Sequence, residues 1–338
     1  MEIKYGLDDV NIVPSGSLIN FNSRSEITEH FNGRIWVAPM DSILSLENLE
    51  TFSKKRLGVP LVRGMWKHID PETFNTDLYA TFSLAEAKEM LIEGSEVNEW
   101  IENVYDEYNF INILIDIANG HLNDLHLTAS LIKEKYACSI MIGNIANPRI
   151  IEDSFNLYGD IIDYYRVGIG GGSRCHTSSK TAIHYPIISL LQELDEVRYK
   201  LDLRCKFIAD GGIRNSSDIA KLFAAGADGV MLGSVFAKTL ESASRKYEKN
   251  VHRTTEMSER EMLYSLNIKR LYGEYRGMST IDRQKTEGKQ DADYEEGFSE
   301  DVLIEYTLDG LMNEINKSLK STFSYCNSKT LKEFRNKS

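Results

Sequence analysis

Residues 206–234 read KFIADGGIRNSSDIAKLFAAGADGVMLGS. Lys206–Asp210 and Gly229–Leu232 are short β-rich runs, and the stretch Ser216–Ala225 between them carries helical periodicity. A strand, a crossover helix and a second strand make a βαβ unit, whose strands run parallel. The pattern extends upstream. Further β-rich runs fall at Ile35–Met40, Val59–Arg63, Leu78–Ser83, Asn112–Ile117, Ser139–Asn144 and Tyr164–Ile169. Helical periodicity separates most of them, at Leu44–Lys54, Ala85–Asn103, Leu122–Tyr136, Pro148–Tyr158 and Pro186–Leu201. Eight strands alternating with helices predict an α/β fold, a closed (β/α)8 TIM barrel. The length, 338 residues, suits one such barrel spanning 1–338.

The strand ends carry the polar residues. Met40-Asp41-Ser42, Arg63-Gly64, Asp116 with Ala118-Asn119-Gly120-His121, Gly143-Asn144, Gly168 to Cys175, Asp210-Gly211-Gly212 and Gly233-Ser234 all follow strands. Glycine after a strand is ordinary turn chemistry at any one junction. Repeated around the barrel with a cysteine and aspartates, it predicts an active site on the C-terminal face. Beyond Leu232 the pattern changes. Residues 241–270 are charged and read as largely helical, and Tyr272 to Gly297 reads as a loop over the active site. An insertion and flap region (242–297) thus precedes a C-terminal helix near Val302–Leu319 and a tail, within 298–338.

Bulk properties narrow the partners. A net charge of −12, with the basic residues scattered, disfavours nucleic acid and anionic lipid. No run of about 18 apolar residues is present to span a membrane, and the first residues lack a signal-peptide core. Cys138, Cys175, Cys205 and Cys326 form no CxxC pair, which fits a reduced, cytoplasmic setting.

The run Val167-Gly-Ile-Gly-Gly-Gly-Ser-Arg-Cys-His-Thr177 is the most unusual in the chain. Four glycines between Gly168 and Gly172 free the backbone to turn amides toward an anion or carbonyls toward a monovalent cation. Cys175 then sits on a loop beside Arg174 and His176, where a thiolate nucleophile is favoured, whereas Cys138 beside Ile140 reads as a small buried hydrophobe. Glycines after strands seven and eight expose amides for a phosphate, and the helix starting near Ser216 adds its positive end. Asp210 beside them suits ribose hydroxyls. Together these residues describe a nucleotide with its base over Cys175.

At this point the chain resembles the IMP dehydrogenase and GMP reductase barrels. The GIGxGSxCxT-like loop, Ala209-Asp-Gly-Gly-Ile-Arg214 and Met231-Leu-Gly-Ser234 carry the resemblance, which runs from Tyr5-Gly-Leu-Asp-Asp-Val10 to Phe323-Ser-Tyr325. It implies Cys175 as the nucleophile on purine C2, with Thr177 and Glu287 moving a proton. It implies nucleotide contacts from Ser173, Asp210, Gly212, Gly233, Ser234, Gly277, Met278 and Ser279. Asp116, Asn119 and Gly120 match the nicotinamide-cofactor side (NADPH or NADH), and the carbonyls of Gly170, Gly172 and Cys175 match a potassium-type site. A homotetramer is also implied.

Within the family the resemblance leans to the reductases. The dehydrogenases usually insert paired CBS-type regulatory modules between strands two and three, where only about fifteen residues stand here. Their water-activating Arg-Tyr flap is absent between Ser279 and Glu287, and Glu287-Gly-Lys289 matches a reductase signature. NADPH-dependent reductive deamination of GMP to IMP and ammonia is the implied activity. Oxidation of IMP to XMP is the alternative within the family, and a non-catalytic nucleotide sensor the alternative outside it. The chain departs from the family pattern at Gly171, where proline is common, at His176, and in the 242–268 insertion.

Overall fold

The computed structural model describes residues 3–19, 21, 23–75, 77–172, 177–249, 256–276 and 299–337. The strands and helices alternate as β1 (Ile35–Val37), α1 (Leu49–Ser53), β2 (Val59–Pro60), β3 (Leu78–Phe82), α2 (Leu84–Glu89), α3 (Glu96–Tyr108), β4 (Ile111–Asp116) and α4 (Asn123–Lys135). They continue as β5 (Cys138–Ile145), α5 (Arg149–Tyr158), β6 (Tyr164–Val167), α6 (Thr177–Thr181), α7 (Ile187–Lys200), β7 (Lys206–Asp210), α8 (Ser216–Ala224), β8 (Gly229–Leu232) and α9 (Ser234–Ala237). The eight strands form one parallel sheet in the order β1-β8-β7-β6-β5-β4-β3-β2. Gly58, just before β2, closes it: Val37 N–H donates to Gly58 O and Gly58 N–H donates to Ile35 O, each at 2.9 Å. The chain is a (β/α)8 barrel.

Two interior levels can be read along β6. Residues two apart in a strand share a face and stand about 6.6 Å apart along it. Tyr164 sits at the N-terminal level and Arg166 at the C-terminal one. At the lower level Trp36, Tyr79 and Tyr164 pack together, with ring centroids 5.0 Å (Trp36–Tyr79), 5.4 Å (Trp36–Tyr164) and 6.1 Å (Tyr79–Tyr164) apart. The indole fits because both strands flanking β1 yield space to it. A Cβ on Gly58 would come within 2.2 Å of the Trp36 ring, and one on Gly229 within 2.9 Å of its Nε1.

The helices differ from the sequence reading in several places: α1 is only Leu49–Ser53 of the expected Leu44–Lys54, and the short α6 and α9 were not expected. The helical stretch Ala85–Asn103 is two helices, because Gly94 takes a positive φ of 77° and Ser95 then caps α3 by accepting from Asn98 N–H. The C-terminal helix runs Leu308–Tyr325 (α11), starting later than expected at the Thr307 N-cap, and is followed by α12 (Leu331–Arg335). Phe323 of α11 packs edge-on against Phe31 and stacks on Phe334 of α12, at 5.0 and 4.3 Å, so the tail is held by aromatic burial worth about 2–3 kcal/mol per ring.

The charged region after the barrel is the larger correction. It contains β9 (Lys246–Glu248), α10 (Glu259–Asn267), β10 (Leu271–Arg276) and β11 (Ser299–Leu303), with the strands forming an antiparallel sheet in the order β11-β10-β9. Residues 241–270 are therefore not largely helical, and 272–276 are strand rather than loop. Burial alternates along β10 at Leu271, Gly273 and Tyr275. Its glycine and glutamate disguised that alternation as a loop composition.

Candidate active site

Three residues in register across neighbouring strands build the floor of the barrel mouth. Asp116 of β4 pairs with Gly143 of β5, and Gly143 pairs with Arg166 of β6. Gly143 carries no side chain, and a Cβ there would lie 2.5 Å from Arg166 Cβ. Arg166 therefore crosses over the glycine and donates through Nη1 to Asp116 Oδ1. Its Nη2 donates to Asp210 Oδ2 at the end of β7, at 2.8 Å. Asn144 Nδ2 donates to the same Asp210 oxygen at 2.8 Å and to Gly168 O at 2.9 Å. Arg63, after β2, lies 3.6 Å from Asp116 Oδ2.

Two guanidiniums and two carboxylates thus balance in a buried cluster. Burial opposes the Arg166 charge, but the fields of Asp116 and Asp210 and their hydrogen bonds outweigh it, so its pKa is raised and it stays a cation. With Oδ2 of Asp210 engaged twice, Oδ1 is the oxygen left to accept from a ligand hydroxyl. Arg166 was not singled out from sequence, and Asn144 was placed on the working face only as a strand-end residue without a role. The available signal was an arginine inside an otherwise apolar parallel strand, where the interior is normally hydrophobic.

The glycines of the two loops meet backbone to backbone. Gly168 has φ 120°, and a Cβ on it would lie 2.5 Å from Asp210 O. A Cβ on Gly211 would lie 2.8 Å from Gly172 N. Gly170 O accepts from Ser178 Oγ at 3.1 Å, and Ile169 O accepts from His184 Nδ1 at 3.0 Å. Gly171 has ordinary space around it, the nearest atom being 3.5 Å from a built Cβ. Gly233 lies under Tyr275 of β10, whose Oη would be 2.7 Å from a Cβ at Gly233. Tyr275 reaches the barrel mouth because β10 is a strand, which is why the loop reading of this segment missed it.

The helix expected to offer its N-terminus to a phosphate is capped from within. Asn215 Oδ1 accepts from the N–H groups of Ser217 and Asp218 at the start of α8. The short α9 begins at Ser234, directly after β8.

Among the described residues, three cavities open on this face and share walls. One of about 400 Å³ is lined by Arg63, Asp116, Ala118, Asn144, Gly168–Gly172, Thr177 and Asp210. A second of about 570 Å³ adds Gly6–Asp9, His184, Gly212 and Ser234, and shares Gly168–Gly171, Asp210 and Gly211 with the first. A third, about 880 Å³, reaches the first through Arg63 and runs past Asp41, Lys67 and Ser83. Volumes of this size hold nucleotides or cofactors.

Among the expected site residues, Asp116, Gly170, Gly172, Thr177 and Asp210 line the 400 Å³ cavity, and Gly170, Asp210, Gly212 and Ser234 the 570 Å³ one. Asn119 is exposed, and its Oδ1 accepts from His121 N–H at 3.2 Å. Gly120 is buried with both backbone groups engaged. Its N–H donates to Asn144 O at 2.8 Å, and its carbonyl faces His126 Nε2 at 3.0 Å. Ser173, Cys175, His176, Gly277, Met278, Ser279 and Glu287 lie outside the described residues. The other three cysteines are buried and free. Burial pushes the Cys138 and Cys205 thiols up to about 12, and raises Cys326 as well, so none is a ready thiolate near neutral pH. No helix among the described residues is long and apolar enough to cross a membrane.

Fold and site together define a (β/α)8 barrel with nucleotide-sized cavities on its C-terminal face. A family model for the IMP dehydrogenase / GMP reductase domain matches residues 96–338, and the chain belongs to that family. An inosine-5'-monophosphate dehydrogenase of Chlorobaculum tepidum is 31% identical over 236 residues, covering 66% of this chain and 43% of that protein. The chain thus spans less than half the length of that dehydrogenase. A GMP reductase of Shewanella halifaxensis is 25% identical over 350 residues, and one of Buchnera aphidicola is 28% identical over 344. Each of these alignments covers 98% of this chain and 92% of the relative.

Proposed function

We propose that the chain, acting as one catalytic unit, reductively deaminates GMP to IMP and ammonia with NADPH or NADH. The observation that carries the choice within the family is the connection between β2 and β3. The described residues of the short stretch 61–77 include two 3₁₀ turns, at Met65–His68 and Pro71–Thr73, and the stretch is too short for an inserted module. The near full-length alignment with two GMP reductases supports the same reading. The higher identity of the partial dehydrogenase alignment favours the second reading, oxidation of IMP to XMP.

In this mechanism the Cys175 thiolate bonds to purine C2, and the exocyclic amine leaves as ammonia. Thr177 and Glu287 move the proton that the departing amine takes. A reduced nicotinamide, when bound beside Asp116, Asn119 and Gly120, would supply the hydride that C2 needs, and Cys175 is then released as the thiolate with IMP as product. Asp210 Oδ1 accepts from the ribose, while Ser173, Gly212, Gly233, Ser234, Gly277, Met278 and Ser279 surround ribose and phosphate. Asp116 serves the cofactor side through its charge, held by Arg63 and Arg166. Asn119 keeps its amide nitrogen for the cofactor, and Gly120 contributes shape, since a Cβ there would lie 2.7 Å from Asn144 O. The carbonyls of Gly170, Gly172 and Cys175 are assigned to a potassium ion; of these, Gly170 O keeps a second lone pair beside its bond from Ser178.

Oxidation of reduced nicotinamide followed across GMP, dGMP and related nucleotides, with and without potassium, tests the reading. GMP-dependent oxidation that falls to background in Cys175→Ala is the expected result. XMP formed from IMP and NAD⁺, with no IMP from GMP, would overturn it in favour of the dehydrogenase.

A further inference from the structure

The segment Asp116–His121, between β4 and α4, borders the 400 Å³ cavity and ends in a histidine that the mechanism does not use. It is laced to β5 and to the loop that follows. Ile117 N–H donates to Gly143 O at 2.9 Å, Asn144 N–H donates to Ile117 O at 2.8 Å, and Gly120 N–H donates to Asn144 O at 2.8 Å. The final rung is different in kind, because Ala146 N–H donates to His121 Nε2 at 3.0 Å. A backbone amide can only donate, so that ring nitrogen must hold a lone pair and the proton of neutral His121 sits on Nδ1. Protonating Nε2 would set one N–H against another and remove the rung.

A second imidazole braces the segment from below with the opposite polarity. Gly120 O can only accept, so His126 Nε2 carries the proton, and its Nδ1 accepts from Ser154 Oγ at 2.8 Å. The two rings bracket the tip of the loop, Ala118 and Asn119, which is exposed.

We infer that His121 is a positioning residue: its unprotonated Nε2 fixes the Ala118–Asn119 tip at the cavity, so the reaction acquires an acid limb expressed in cofactor binding. Among the described residues, no carboxylate pairs with the His121 ring to compensate an imidazolium. His126 stands on α4, and Tyr158 of α5 donates to Asn123 Oδ1. Asp116, at the far end of the segment, is paired with Arg63 and Arg166. Burial lowers the His121 pKa, and His126 is lowered first by burial and further by the charge on His121. The break therefore falls below the ordinary histidine value.

Only the kinetic arm of the test depends on the proposed reductase activity. Imidazole ¹⁵N NMR of the full chain at neutral pH should show His121 as the Nδ1–H tautomer, and hydrogen exchange should show Ala146 N–H protected, with protection lost on acidification. The Nε2–H tautomer, or unchanged Ala146 protection through the His121 titration, overturns the inference whatever the activity. In kinetics, the wild-type KM for reduced nicotinamide should rise about fivefold as the pH is lowered from neutrality through the His121 titration, the worth of one hydrogen bond. His121→Gln, which keeps an acceptor but does not titrate, should flatten that limb with kcat unchanged. His121→Phe should show the raised KM at every pH. An undiminished acid limb in the glutamine variant also overturns the assignment.

Discussion

The two ends of the barrel solve the same packing problem with opposite chemistry. At the N-terminal end Trp36, Tyr79 and Tyr164 fill the interior with rings, and Gly58 and Gly229 make room for the indole. At the C-terminal end Arg166 crosses Gly143 to bind Asp116 and Asp210. In both layers a glycine on a neighbouring strand admits one oversized side chain. The aromatic layer gains from apolar burial and touches none of the cavities on the opposite face. The charged layer sets desolvation against Coulomb attraction, so it adds little net stability while holding two carboxylates at fixed positions under the cavities. The difference separates what keeps the barrel closed from what makes its mouth chemically competent.

The largest expected effect comes from breaking the charged layer. Arg166→Met leaves Asp116 and Asp210 facing each other without their shared cation. Removing one partner of such a buried pair costs about 3–5 kcal/mol. Denaturant unfolding should register that loss, and kcat/KM for the nucleotide should fall by about a hundredfold through misplacement of Asp210. A variant with unchanged kcat/KM would remove the charged layer from the site. A smaller effect is expected at the other end. Gly58→Ala sets a methyl against the Trp36 ring and should destabilise by about 1–3 kcal/mol through overpacking. Its KM and kcat, measured well below the unfolding transition, should match the wild type. A large change in kcat there would mean that the two layers are coupled along β6.

Legibility in the sequence followed this division. Strands β7 and β8 are found where their apolar runs predict them, and the glycine-rich strand ends mark the working face. Both signals are local, since each rests on a few consecutive residues. Arg166 was hidden, and Asn144 was placed on the working face without a role, because their importance lies in register across β4, β5 and β6, which one chain segment does not display. Tyr275 was hidden because β10 alternates around Gly273 and Glu274, whose composition suits a loop. The break between α2 and α3 rests on a positive φ at Gly94 and the Ser95 cap, both overridden in the reading by the surrounding helical periodicity.

The charged mouth is proposed to serve reductive deamination. That role is tested most directly by stoichiometry: GMP consumed, reduced nicotinamide oxidised, and IMP and ammonia formed, measured in one reaction by chromatography and an ammonia assay. Equal amounts of all four, and none of them with Cys175→Ala, are the predicted result. Nicotinamide reduction coupled to XMP formation from IMP, with no ammonia released from GMP, would contradict it.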